Sequence, residues 1–198
     1  MRPRIPYLTS LAPAMAGLLL LIPVFIYQHE IFRTLNCGRT PQLDIPFMFL
    51  TMAADGFFIL MYFSFWAPAR RNIFFAGLIG FLLSAIVTQL LKSYFGAPRP
   101  PAVFSPEQLC VLGHPFASRS FPSGHATAAF ALARFVFESP SLLIRTGAIL
   151  FGLAGSVSRI YVGVHFPADI LTGAIIGWVV TDFCIHYFRT VRKKLLSV

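Results

Sequence analysis

Asn72–Leu91, NIFFAGLIGFLLSAIVTQLL, carries no charged side chain and matches the roughly 20 residues that a helix needs to cross a bilayer. Runs of similar character flank it at Leu11–Gln28, Pro46–Trp66, Pro122–Phe137, Leu142–Tyr161 and Asp169–Phe188, of which Pro122–Phe137 is short. With 57% hydrophobic and 12% charged residues and a mean hydropathy of +0.73, the 198 residues lie far from a soluble domain of this size. These runs predict an all-α polytopic membrane protein, a bundle of six transmembrane helices forming a single integral-membrane domain over residues 1–198. Gly77, Gly80, Gly152, Gly155, Gly173 and Gly177 recur at helical spacing, as close backbone approach within a bundle requires. Arg2 and Arg4 before the first run resemble a signal peptide, but no small-residue cleavage site follows, so the run is kept as a span.

The formal net charge of +9 and a pI near 10.1 do not imply a nucleic-acid partner, because the basic residues fall mostly between and after the apolar runs. They fit membrane topology and an anionic substrate. With six spans both termini share one side, where ten of the sixteen Lys and Arg gather: Arg2, Arg4, Arg70, Arg71, Arg134, Arg145, Arg189, Arg192, Lys193 and Lys194. The positive-inside rule makes that side cytoplasmic, in a bacterial inner or cytoplasmic membrane, and turns the other loops toward the periplasm or exterior. Cys37, Cys110 and Cys184 have no paired spacing, so no metal site is expected of them. Cys37 and Cys110 fall in outward loops, where a disulfide between them is expected, and Cys184 should stay reduced within its span.

Chemistry concentrates in RIYVGVHFPAD, Arg159–Asp169, where one span ends and the next begins. His165 and Asp169 stand four residues apart, about one helical turn, so the carboxylate can accept the ring N–H and orient a basic or nucleophilic imidazole. Arg159 adds a planar cation suited to phosphate oxygens. Lys92 and Arg99 open the long connection to Phe121 in KSYFGAPRP; alone they would read as interfacial cations. FPSGHAT, Phe121–Thr127, starts the next helix, with Pro122 expected in its first turn and Ser123 and Gly124 expected to turn free N–H groups toward an anion. His125 stands on that rim, where it can give a proton to a leaving oxygen.

The three pieces, K-x6-RP, PSGH and SR-x5-H-x3-D, supply eleven fixed identities in order, and with them the chain resembles the type 2 phosphatidic acid phosphatase family. The resemblance implies that His165 attacks phosphorus to form a phosphohistidine, that Asp169 holds His165, and that His125 protonates the leaving alkoxide. It also implies that Lys92, Arg99, Ser123, Gly124 and Arg159 clamp the phosphoryl oxygens. Three cations with helix N–H groups can serve where other phosphatases use metal ions, so no metal or other cofactor is expected. The implied partners are the bilayer and a membrane lipid phosphate: polyprenyl diphosphate, lipid A phosphate, phosphatidylglycerophosphate or phosphatidic acid.

Two other classes compete. A vanadate-dependent haloperoxidase would share the anion site, but such enzymes are soluble. A non-enzymatic head-group binder or transporter would need neither histidine nor Asp169. Among the remaining polar residues, Arg119 reads as a solvated loop cation, with reach to a second phosphate as its alternative. Asp55, costly in lipid, should face the bundle interior with Thr88 or Gln89 as partner. His29, His114 and His186 read as interfacial, and Phe104, Phe116 and Phe121 as dipping into lipid or packing the long connection.

Overall fold

In the computed structural model, which describes residues 7–68, 71, 73–114 and 117–195, helices account for nearly every apolar run, and no strand occurs among the described residues. They are α1 (Tyr7–Ile26), α2 (Gln28–Cys37), α3 (Pro41–Ala53), α4 (Gly56–Trp66), α5 (Phe74–Phe95), the short α6 (Pro100–Val103), α7 (Gly124–Val136), α8 (Leu142–Tyr161) and α9 (Pro167–Leu195). Arg2, Arg4 and Arg70 of the charge argument, Asn72 at the start of the third run, and Phe116 lie outside the described residues.

Local chemistry explains where the runs break. The run expected as Pro46–Trp66 is two helices bent by 63°, because Asp55 leaves the helical path and accepts the Phe57 N–H as N-cap of α4. After α1 the chain turns by 85° into the ten-residue α2, which buries Phe32 and Asn36 one turn apart. Gly96, in the left-handed conformation at φ 53°, ends α5 and directs the chain over the bundle. Among the described residues three helices are long and apolar enough to cross a membrane, or up to five if each bent pair counts as one span. The 13-residue α7 is shorter than a bilayer crossing by itself.

That short helix is the centre of the structure. Every residue of α7 from Ala126 to Val136 is buried, wrapped by α4, α5, α8 and α9. Its alanines allow the wrap to close. A Cβ at Gly177 of α9 would stand 2.1 Å from the Thr127 carbonyl oxygen, and one at Gly173 would stand 2.4 Å from that of Ser123. On the outer surface large side chains such as Leu19, Phe65 and Leu143 are more than three-quarters exposed, as expected of residues facing lipid.

Polar groups cross-link the helices at both ends of α7. Toward its C-terminus, buried Arg134 donates through Nε to Asp182 at 2.5 Å and pairs with Glu138 at 2.9 Å, while Arg189 binds both oxygens of Glu138. His186 of α9 is 3.5 Å from the Asp182 carboxylate and so adjoins this network. At the other end Asn36 sews α2 to the long connection. Its amide donates to the carbonyls of Cys110, Ile160 and Tyr161 and its oxygen accepts the Cys110 N–H at 2.8 Å. The expected Cys37–Cys110 disulfide is therefore corrected: both are free thiols, Cys37 turns toward the Gln108 carbonyl, and the neighbouring Asn36 makes the link instead. Cys184 is free and buried, as its position in an apolar run implies. Phe104 packs with Phe32 and Phe166, and Phe121 sets its edge on Phe95, so both pack the connection.

Gly177→Ala should destabilise the bundle by about 1–3 kcal/mol, since backbone rather than a flexible side chain meets the added methyl. Gly147→Ala, whose Cβ would meet nothing within 4 Å, should leave the midpoint unchanged or raised. Thermal unfolding of the two variants in one detergent compares them directly.

Candidate active site

A cleft of about 390 Å³ opens at the N-terminal end of α7 and collects Lys92, Arg99, His125, Arg159 and His165 from five parts of the chain, with Gly124 also lining it. Each is delivered by a local rule. Lys92 is in the last turn of α5, where a cation complements the helix dipole, and Arg159 holds the corresponding place in α8. His125 is the second residue of α7. Gly163, at φ 81°, turns the chain between α8 and α9 and carries His165 inward; a Cβ there would meet the Cys110 carbonyl at 2.4 Å.

The His165–Asp169 pair forms as the spacing predicts. Nδ1 of His165 lies 3.2 Å from Oδ2 of Asp169, which also accepts the Phe166 N–H at 2.8 Å and the Ser120 hydroxyl at 2.5 Å. With an acceptor at Nδ1 the ring proton is assigned there, which leaves the Nε2 lone pair toward the cleft, 3.5 Å from Nη1 of Arg99. Burial pushes the His165 imidazole down to about 4, against the opposing pull of the Asp169 hydrogen bond. His165 is therefore neutral at ordinary pH. An oriented, neutral imidazole beside permanent cations can act as nucleophile or base toward an anionic ester.

The cations are themselves held by backbone carbonyls. Lys92 donates to those of Arg119 and Ser120 at 2.7 and 3.2 Å. Arg99 donates to those of Ser118 and Val164 at 2.9 and 3.2 Å. Arg159 reaches Thr51 of α3 at 2.5 Å, and its Nε is a buried donor without a hydrogen-bond partner among the described residues. Arg119 takes part through its main chain: at φ 57° its carbonyl accepts from Lys92, while its side chain is exposed and does not line the cleft.

The start of α7 differs from the expectation in two ways. Pro122 precedes the N-cap Ser123 rather than occupying the first turn, and its peptide bond with Phe121 is cis. The Ser123 N–H is not free for an anion: it donates to the Asp169 carbonyl at 2.9 Å, which locks the α7 entry to the first turn of α9. The Ser123 hydroxyl is buried without a hydrogen-bond partner among the described residues. Gly124 does lie on the cleft, with nothing within 4 Å of where a Cβ would stand.

Three site residues carry no signal that spacing could reveal. Ser120 is fully buried between Asp169 and His165, its Oγ 3.5 Å from Nδ1, although 49 residues separate it from Asp169. Thr51 holds Arg159 across 108 residues. Asp55 faces His125, with Oδ2 3.5 Å from Nε2, and not Thr88 or Gln89. Thr88 instead pairs with Thr127 of α7 at 3.0 Å.

Comparison with known proteins follows the same lines. A family model described as PAP2 superfamily matches residues 73–193. Undecaprenyl-diphosphatase BcrC of Bacillus subtilis is 28% identical over 177 residues, covering 86% of this chain and 88% of that protein. A lipid A 4'-phosphatase of Porphyromonas gingivalis is 30% identical over 183 residues, covering 86% and 76% respectively. The crystal structure of Aquifex aeolicus LpxE superposes with a TM-score of 0.76 at 29% identity, over 81% of this chain and 95% of that one.

An NMR titration of the imidazoles should give His165 a midpoint near 4. Protonation fills Nε2 only below that pH, so the free lone pair persists through the range in which an ordinary histidine would lose it, near its usual value of about 6.5. A midpoint near the ordinary value would contradict the burial argument.

Proposed function

The chain belongs to the PAP2 superfamily, and from that premise we propose that it is an integral-membrane lipid phosphatase that hydrolyses a lipid phosphomonoester or diphosphate through a phosphohistidine. The observation that carries the reading is the convergence of the oriented His165, a second histidine and three cations on one cleft. Nε2 of His165 attacks phosphorus and forms a P–N bond as the P–O bond to the lipid breaks. His125 gives its proton to the departing oxygen. In the second step His125 takes a proton from water, whose oxygen attacks phosphorus, and inorganic phosphate leaves as the P–N bond breaks.

Lys92, Arg99 and Arg159 offset the charge of the phosphoryl oxygens throughout, with Gly124 leaving room for their approach. Arg159, with its unpartnered buried Nε, is the group most in need of an anion. Ser123 acts here by fixing the start of α7, and Arg119 by its carbonyl. The relatives named for undecaprenyl diphosphate and lipid A support the choice of polyprenyl diphosphate or lipid A phosphate as the substrate class.

Six crossings follow if α1, the bent α3–α4 pair, α5, α7, α8 and α9 each count as one. Both termini are then cytoplasmic and the cleft faces the periplasm or exterior, in keeping with the cation asymmetry. Beyond Arg189, which Glu138 holds, the C-terminal Arg192, Lys193 and Lys194 lie against the anionic inner leaflet, each contributing about 1 kcal/mol of attraction.

Purified protein should release phosphate from at least one member of a panel of polyprenyl diphosphate, lipid A, phosphatidylglycerophosphate and phosphatidic acid. His165→Ala should abolish turnover, and replacing Lys92, Arg99 or Arg159 should each cost on the order of 100-fold or more in kcat, as loss of a charge-stabilising donor does. Near-normal rates in all three would remove the clamp.

Orientation is tested separately in a chain whose three native cysteines are replaced by serine. A cysteine inserted after Glu107 should react with a membrane-impermeant thiol reagent in intact cells, and one inserted after Lys194 should not. The reverse labelling would overturn the orientation.

A further inference from the structure

Among the described residues lining the cleft Asp55 is the one carboxylate, and it shares the cleft with Lys92, Arg99 and Arg159. Its position is fixed from both sides. Oδ1 caps α4 by accepting the Phe57 N–H at 2.9 Å, while Oδ2 is 3.5 Å from Nε2 of His125. One turn earlier Thr51 receives Arg159, and the adjacent Ala54 packs so tightly on α8 that a Cβ at Gly155 would stand 2.5 Å from its own. The α3–α4 break is thus pinned against α8, with Asp55 reaching His125.

The charge of Asp55 complements the α4 dipole only modestly, and the cap itself does not require it. Asparagine or serine caps a helix equally well and would not repel a phosphate ester. A carboxylate in an anion-binding cleft within a membrane opposes substrate binding, so its presence points to another partner. Asp55 also attracts Arg159, which Thr51 already holds, and His125 is the partner within contact distance. A proton donor must enter the reaction carrying its proton, yet Lys92 and Arg99 from α5 and its connection, Arg159 from α8 and His165 from the α8–α9 turn all face it, and the three cations oppose a further positive charge.

We propose that Asp55 is the positioning residue of His125, its carboxylate holding the protonated imidazole in the cleft as Asp169 holds the neutral His165. The site then contains two carboxylate–imidazole pairs with opposite roles, since one keeps a lone pair free for phosphorus and the other keeps a proton ready for the leaving oxygen. The separation of 3.5 Å closes to a hydrogen bond with a small rotation of either side chain, as unliganded acid–base pairs commonly require. The proposal rests on His125 being the proton donor.

The test is a double-mutant cycle on the full chain in detergent, with phenyl phosphate, a poor leaving group, set against 4-nitrophenyl phosphate, a good one. Asp55→Asn keeps the cap and removes the charge, and Asp55→Ser repeats the experiment with a different neutral cap; thermal midpoints identify folded variants. Each should lower kcat/KM on phenyl phosphate by about 10–100-fold, a part of what general-acid catalysis supplies, and spare 4-nitrophenyl phosphate. In the His125→Ala background neither should cost anything further. Equal loss on both esters, or a full additional loss in the double variant, beside a His125→Ala that does depend on the leaving group, would overturn the role of Asp55 alone. A His125→Ala that loses both esters equally would overturn the donor reading and this proposal with it.

Discussion

Oδ2 of Asp169 accepts from three donors in two parts of the chain: the His165 ring and the Phe166 N–H of the α8–α9 turn, and the Ser120 hydroxyl at the end of the long connection. The carbonyl of the same residue accepts the N–H of Ser123 at the head of α7. One aspartate therefore ties the α8–α9 turn, the end of the long connection and the central helix to one another. Hydrogen bonds to a charged acceptor contribute roughly 1.5–3 kcal/mol each when buried, and losing the acceptor would strand every donor at once. Ring orientation, loop closure and helix register depend on the same few atoms, so the geometry of the cleft is also a folding constraint.

The second constraint is close approach. α9 can set Asp169 over the start of α7 because glycines at 173 and 177 bring its backbone against carbonyls of Ser123 and Thr127. Toward the other end of α7 Arg134 is fully buried, which explains why its charge is met by Asp182 and Glu138 and why Arg189 joins them. The two ends of α7 thus carry opposite solutions to buried charge. At one end the cations have carboxylate partners; at the other Lys92, Arg99 and Arg159 are held by carbonyls and a hydroxyl, which leaves net positive charge for an anion.

Much of the site is legible in local spacing. His165 and Asp169 pair because one helical turn brings them together, and Lys92 and Arg159 reach the cleft because each ends a long helix on the same side. Spacing fails where a partner comes from far along the chain. Cys37 and Cys110 match as thiols in neighbouring loops, yet the adjacent Asn36 has the amide geometry that satisfies buried carbonyls, and it takes the position. Ser123 at a helix start promises its N–H to a ligand; the nearby Asp169 carbonyl uses it first.

The helical class, the membrane setting and the identity of the charged groups that line the cleft follow from the sequence, because hydrophobic runs and short-range motifs are properties of consecutive residues. Tertiary packing alone settles that the second run breaks at Asp55, that this carboxylate faces His125, that Ser120 shares Asp169 with His165, and that Thr51 holds Arg159. The Ser120 and Thr51 contacts join residues 49 and 108 positions apart, and a hydroxyl or carboxylate acquires such a partner only when packing fixes which helix faces come together.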